Sequence, residues 1–231
     1  MLFVFEGMDG AGKTTQIQQF AQWLESLNFP VVLCRDPGST ELGNRLRQLL
    51  LERSQFPIHM RAEMLMFTAA RTQLVEEIIR PAMQENKMIV LDRYIFSTVV
   101  YQGYAGQLDP DDIWTINRIA TNGLMPDATF VLDLPVKLAL ERLRNRPAEQ
   151  PVSKETRGTK GPEEPKGPEL DRLESRGEKY FQQVRQGFLR EADRWPDRVN
   201  VIDANRPVAV IQQEIQELAR NYLRRKGFDT I

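Results

Sequence analysis

Cysteine and histidine each occur once in this chain of 231 residues. Cys34 has no partner for an internal disulfide, and its place in Val31-Val32-Leu33-Cys34 suits a small buried hydrophobe. His59 lies in Pro57-Ile58-His59 just before a helical pattern and reads as a surface or capping residue, not a base. The formal net charge is only −1, so no global field favours nucleic acid or a membrane surface as partner. No apolar stretch approaches the roughly 20 residues of a membrane span. The N-terminus runs straight into Leu2-Phe3-Val4-Phe5 without a basic region or cleavage site, unlike a signal peptide. These absences suit a reduced, cytoplasmic protein.

What is present is a chain of 41% hydrophobic residues, enough for one α/β domain with a full core over 1–231. Apolar runs at Leu2 to Phe5, Val31 to Cys34, Met88 to Leu91, Ala128 to Leu134 and Val199 to Ile202 read as buried strands. Between them, Thr15 to Leu27, Glu41 to Glu52, Arg61 to Glu85, Asp111 to Asn122, Val136 to Arg146, Leu170 to Trp195 and Val208 to Arg225 read as helices. Strand and helix alternate throughout. That order predicts a five-stranded parallel sheet with helices on both faces, a three-layer α/β/α fold with ligands at the carboxyl ends of the strands. One segment breaks the pattern. Pro147 to Pro168 holds five prolines, three glycines, many charges and a single branched aliphatic residue, Val152. It cannot bury enough apolar surface to offset its ordering entropy, so 145–171 reads as a mobile lid with an insertion inside it.

The sharpest motif is Gly7-Met8-Asp9-Gly10-Ala11-Gly12-Lys13-Thr14, which fits G-x-x-x-x-G-K-[ST] between a strand and a helix. By chance the bare pattern should occur in about one chain of this length in a hundred. Glycines allow a tight turn that aims backbone N–H groups at phosphate oxygens, and the helix start adds its positive dipole end. Lys13 supplies a point charge to the β- and γ-phosphates, and the Thr14 hydroxyl is placed to ligate Mg²⁺. The loop makes this a P-loop NTPase fold. It does not name the reaction, because motors, switches and kinases all use it.

Other residues narrow the choice. Asp92 ends the third strand, where a carboxylate can hold the magnesium shell or simply make a salt bridge. Arg93 follows at the same edge, within reach of a second anion. After the fourth strand stands Leu132-Asp133-Leu134-Pro135, with no Asn-Lys-x-Asp stretch of the kind that reads guanine. Arg142, Arg144 and Arg146 precede the expected lid, and Arg172 and Arg176 follow it. A segment flanked by arginines can close over phosphates, exclude water and stabilise developing charge; the bland alternative is a solvated charged face.

Together these residues resemble the bacterial thymidylate kinase family over almost the whole chain. The resemblance rests on Phe5-Glu6-Gly7 running into the loop, Arg35-Asp36-Pro37-Gly38-Ser39-Thr40, Met66-Phe67-Thr68-Ala69-Ala70-Arg71, Asp92-Arg93-Tyr94, Tyr101-Gln102-Gly103, Pro126-Asp127 and Leu170-Asp171-Arg172. It implies phosphorylation of dTMP to dTDP with ATP and Mg²⁺, by a homodimer. ATP would lie on Gly7 to Thr15, with Arg142 stacked on adenine. The resemblance implies that Phe67 stacks on thymine, that Arg71 and Gln102 read its edge, and that Thr98 lines the same pocket. It implies that Tyr101 packs on the sugar, that Asp9 lies near the 3′-hydroxyl and the metal, that Arg47 and Arg93 clamp the monophosphate, and that the lid arginine is Arg172. Lys13, Asp9, Arg93 and Arg172 would then be the catalytic set. The chain departs from the family in Asp36, where Glu is usual, and in the length of Pro147 to Pro168. Two alternatives stay open from the residues: a kinase of another pyrimidine nucleotide or nucleoside, and a P-loop ATP-binding regulator without a nucleotide acceptor.

Overall fold

The computed structural model describes residues 1–52, 56–145 and 171–228. Five parallel strands, β1 (Leu2–Gly7), β2 (Val31–Arg35), β3 (Met88–Asp92), β4 (Ala128–Asp133) and β5 (Val199–Asp203), form one sheet in the order β2-β3-β1-β4-β5. β1 is central, with Phe3 level with Val90 on one side and Ala128 on the other. Every residue of β1 is buried because both faces of the sheet are covered. Side chains alternate along the strand. Phe3 and Phe5 point to one layer, where they meet Phe20 and Phe130 at ring-centroid distances of 5.2 to 6.3 Å. Leu2 and Val4 point to the other, among Leu74, Val75, Ile79 and Val99.

Helices α1 (Lys13–Ser26), α2 (Glu41–Leu51), α3 (Met60–Leu74), α4 (Arg80–Gln84), α5 (Ile95–Thr98), α6 (Pro110–Ala120), α7 (Val136–Arg144), α8 (Glu178–Arg194) and α9 (Val208–Arg225) complete the layers. Thr40 starts α2 by accepting the Gly43 N–H on its side-chain oxygen, 2.9 Å away. The reversal of strand order lies between β3 and β1, so the carboxyl ends of these strands open the crevice that such sheets use for ligands.

Three expectations need correction, and one stretch carried no assignment. Val31 to Cys34 is not a fully buried strand: β2 is an edge, and Leu33 is 51% exposed although Cys34 is buried. The helix expected over Arg61 to Glu85 is continuous but contains a π-helical turn at Val75–Ile79 between α3 and α4. The stretch between Arg93 and Asp111 contains α5 followed by a second π-helical turn, Val99–Tyr104, which carries Tyr101 and Gln102. Such turns are frequent at functional sites. The helix expected from Leu170 begins only at Glu178, because Gly177 adopts φ 86° after a short 3₁₀ turn. The expected lid, 145–171, lies outside the described residues except for Asn145 and Asp171, as do Arg146 and Leu170.

Candidate active site

β1 delivers the chain into the phosphate loop, and close packing dictates its glycines. Gly10 has φ 81°, and a Cβ there would stand 2.5 Å from the Ala139 carbonyl oxygen. Gly12, at φ 91°, turns the chain into α1. Met8 and Ala11 anchor the loop in the core. The Lys13 ammonium donates to the carbonyls of Gly7 (3.1 Å) and Met8 (2.9 Å) and stands 3.8 Å from Asp9. Burial and the nearby Arg93 lower its pKa, while Asp9, Asp92 and Glu6 oppose that. Gly10, Gly12, Lys13 and Thr14 line a cleft of about 630 Å³, whose other walls include Asp92, Arg93 and Arg142. Thr15 is exposed in the first turn of α1. Arg142 is exposed and reaches over the loop to the Gly10 carbonyl, 3.5 Å away.

Beside this cleft lies a second cavity, bounded by Asp36, Phe67, Arg71, Thr98, Tyr101 and Gln102 among others. The two share three residues: Asp9, Arg47 and Arg93. Arg93 donates to Asp9 (2.5 Å) and to Ser97 (2.9 Å), and its guanidinium lies over the Tyr101 ring, 5.2 Å from the centroid. The Tyr101 hydroxyl donates to the other Asp9 oxygen at 3.3 Å. Burial alone would raise the Asp9 pKa, but Arg93 and Lys13 outweigh it and hold the carboxyl well below the usual range. Arg47 donates to the Pro37 carbonyl; burial and then the like charges of Arg35 and Arg93 lower its pKa. Guanidinium groups that converge despite mutual repulsion form a site that an anion would relieve.

The positioning of Arg93 depends on Glu6, which sequence reasoning quoted but gave no role. Arg93 sits at φ 68°, an unfavourable conformation for a side chain of its size. Glu6, fully buried at the end of β1, accepts the Tyr94 N–H (2.8 Å), the Ser97 N–H (3.2 Å) and the Ser97 hydroxyl (2.6 Å). These bonds pin the turn immediately after Arg93. Burial pushes the Glu6 carboxyl up to about 6, against the pull of Arg93 and its hydrogen bonds. The signal available in the sequence was a charged residue inside an otherwise apolar strand.

In the second cavity, Phe67 presents a half-buried ring from α3. Arg71, one turn further on, is buried and held on all sides. It donates to Asp36, to Asn117, and to Thr98 (2.8 Å) and the Tyr94 carbonyl (3.0 Å). Those bonds use four of the five guanidinium N–H groups, leaving one on Nη1. Asp36 therefore meets Arg71 directly; its second oxygen is buried without a hydrogen-bond partner. Burial pushes the Asp36 carboxyl up, while Arg71 pulls it down. Gln102 is buried and donates its amide to Glu63, 2.7 Å away.

Arg172 lies apart from the phosphate loop. It pairs with Glu63 at 2.5 Å and donates through Nε to the Leu50 carbonyl at the end of α2. Its neighbours Asp171 and Leu173 line the second cavity. The structure thus brings together Lys13, Asp9, Arg93, Arg47 and Arg142, whereas Arg172 lines neither cavity. Glu63 and Ser97 belong to the assembly and were not foreseen; Arg176, expected beside the lid, pairs with Glu63 instead. His59 is exposed at the start of α3, with no capping bond from its side chain.

The oxygens present suit Mg²⁺. One oxygen of Asp92 is buried without a hydrogen-bond partner, the other lies 3.5 Å from Arg35, and the exposed Thr14 hydroxyl lines the same cleft. Mg²⁺ takes few protein ligands, so two oxygens plus phosphates suffice. No cluster of three or more His, Cys, Asp or Glu capable of holding a metal occurs among the described residues.

The family model for thymidylate kinase matches residues 5–215. The chain belongs to the thymidylate kinase family. A thymidylate kinase of Nostoc punctiforme is 39% identical over 224 residues, covering 96% of this chain and 97% of its own. One from Exiguobacterium sp. is 34% identical over 227 residues, covering 98% and 97%. The crystal structure of thymidylate kinase from Ehrlichia chaffeensis superposes with a TM-score of 0.69 at 27% identity, over 95% of this chain and 98% of that one. Members of this family are nucleoside monophosphate kinases, and the two meeting cavities are what such an enzyme requires. No described helix is long and apolar enough to cross a membrane.

Proposed function

We infer that this enzyme phosphorylates dTMP to dTDP, with ATP as donor. The observation that carries the reading is the meeting of the loop cleft and the Phe67 cavity at Asp9, Arg47 and Arg93. A donor phosphate chain on the loop and an acceptor monophosphate in the second cavity would face each other there, as in-line transfer requires.

Each residue has a task in that scheme. Backbone N–H groups of Gly7 to Thr15 and the Lys13 ammonium hold the donor phosphates. Arg142, above Gly10, suits the donor's outer edge, where it can stack on adenine. Arg47 and Arg93 hold the acceptor phosphate and bring its oxygen to the γ-phosphorus. Asp9 holds Arg93 in place and stands beside the sugar, with Tyr101 packed behind it. Phe67 stacks on thymine, Thr98 and Arg71 shape the pocket, and Asp36 fixes Arg71. Mg²⁺, held through Thr14 and Asp92, would neutralise charge on the phosphates. No general base is needed, because positioning and charge stabilisation supply most of the rate. Arg172 would serve by leaving Glu63 for the transferring phosphoryl group, which requires the segment carrying it to move.

The test is ADP release, measured with a coupled assay, across dTMP, dUMP, dCMP and dGMP. Greatest turnover is expected with dTMP; greatest turnover with a purine monophosphate would sink the thymine assignment. ATP turnover indifferent to every acceptor would instead favour a regulator. A homodimer fits the exposed Leu65 on α3 and Ile119 on α6, two helices that pack together. Light scattering at micromolar concentration would report its mass. The cytoplasm, where both nucleotides are available, is the compartment that fits.

A further inference from the structure

Glu63 is fully buried one turn before Phe67 on α3. One of its oxygens accepts the Gln102 amide N–H₂ at 2.7 Å; the other pairs with Arg172 at 2.5 Å and Arg176 at 2.6 Å. Arg176 is fixed in turn. It donates to the Tyr180 hydroxyl (2.6 Å) and lies over that ring, while Tyr180 donates to the Tyr101 carbonyl (2.6 Å). Nothing in the phosphate chemistry uses this carboxylate.

Its consequence lies in what it does to Gln102. A side-chain amide can turn over, exchanging donor for acceptor at little cost. A carboxylate clamped by two guanidinium groups offers only acceptors. It therefore takes the N–H₂ of Gln102 and leaves the amide carbonyl as the polar group available to the cavity that Gln102 lines. A carbonyl there favours a ring edge that presents a donor. Thymine and uracil carry hydrogen on N3; cytosine carries a lone pair. Cytosine would confront the Gln102 carbonyl acceptor to acceptor, and a buried polar mismatch of that kind discriminates strongly.

We propose that Glu63 is the positioning residue for base selection: held by Arg176, which stays when Arg172 moves to the phosphoryl group, it locks the Gln102 amide in the one orientation that accepts from a ring N3–H. This rests on the reading of the Phe67 cavity as the acceptor-base site. The selected class is pyrimidine monophosphates of the imide type, against those of the cytosine type.

The experiment compares kcat/KM for dTMP and dCMP in the wild type, Glu63→Gln, Gln102→Leu and the double variant. Glu63→Gln lets the Gln102 amide turn over, so the dTMP/dCMP ratio should fall by at least about ten-fold, mainly through KM. Gln102→Leu leaves the arginine pairs intact and should lower the ratio similarly; this keeps the test valid if Glu63→Gln fails to fold. Adding Glu63→Gln to Gln102→Leu should lower the ratio no further. A purely structural role for Glu63 predicts lower kcat or Tm with the ratio intact, and that outcome overturns the proposal. So does a ratio unmoved by Gln102→Leu, or further loss in the double variant. A wild type without dTMP-dependent ADP release would instead refute the functional reading itself.

Discussion

The loop cleft and the acceptor cavity share a wall yet are built by different means. The floor of the cleft is one run of consecutive residues that works through its backbone: glycines at positive φ, one lysine folded onto loop carbonyls and the exposed Thr14 hydroxyl. The acceptor cavity gathers side chains from the turn after β2, from α2, α3, the turn after β3, α5, the π-helical turn, Asp171 and Leu173, and binds many of them to one another before any ligand arrives. The first offers charge to any triphosphate. The second fixes donors and acceptors in a geometry that one class of base can satisfy. Generality and selectivity are thus divided between an open backbone cradle and a buried side-chain network.

The largest effect that would sharpen this comparison is on the cleft side. Lys13→Ala should lower kcat at least about a thousand-fold while the fold and dTMP binding persist; retained turnover would contradict the loop's role. Asp36→Ala should instead damage stability, by about 3–5 kcal/mol in urea titration, because it leaves Arg71 buried without its counter-charge. A loss below about 1 kcal/mol would show that the acceptor network is not preformed. Arg172→Ala is expected to lower kcat about a hundred-fold with less change in dTMP affinity. If affinity alone falls, Arg172 acts only through its pairing with Glu63. Phe67→Ala should weaken dTMP binding by about 1–3 kcal/mol with ATP binding untouched, as removal of a stacking ring does.

The smallest effect probes the wall between the two regions. The Glu6 pKa is raised in the folded protein, from an ordinary 4.5 to about 6. Such a group contributes its full stability below its unfolded pKa and loses it as pH rises through the folded value. Between pH 4.5 and 7 the wild type should therefore lose about 2 kcal/mol that Glu6→Gln does not lose. Denaturant unfolding of both proteins across that range measures the difference. A gap independent of pH would mean that Glu6 is not titrating there.

Much of this was legible in the sequence because local rules sufficed. The strands are short apolar runs, and the alternation of strand and helix with the P-loop at the end of β1 implied the parallel three-layer sheet. The edge position of β2 was not legible: Val31-Val32-Leu33-Cys34 is as apolar as a central strand, and only the strand order leaves Leu33 in the open. The π-helical turn at Val99–Tyr104 leaves no mark in residue type, since the extra residue per turn follows from packing against α6 and α8. Asp36 shows the limit for a site residue. Its place in the motif pointed to the acceptor pocket, but its direct pairing with Arg71 required knowing that the turn after β2 lies against α3.

Consecutive residues determined the phosphate loop, since the geometry that cradles phosphate is a property of one short stretch of backbone. Composition and spacing determined the layers. What only the tertiary structure decided is which charges answer one another across the chain: Glu6 with the turn after Arg93, Asp9 with Arg93, and Glu63 with Gln102, Arg172 and Arg176. Those partners are separated by 39 to 113 residues along the chain. Their pairing is enforced by the cost of leaving a buried charge unmatched, a cost that exists only once the fold has taken the water away.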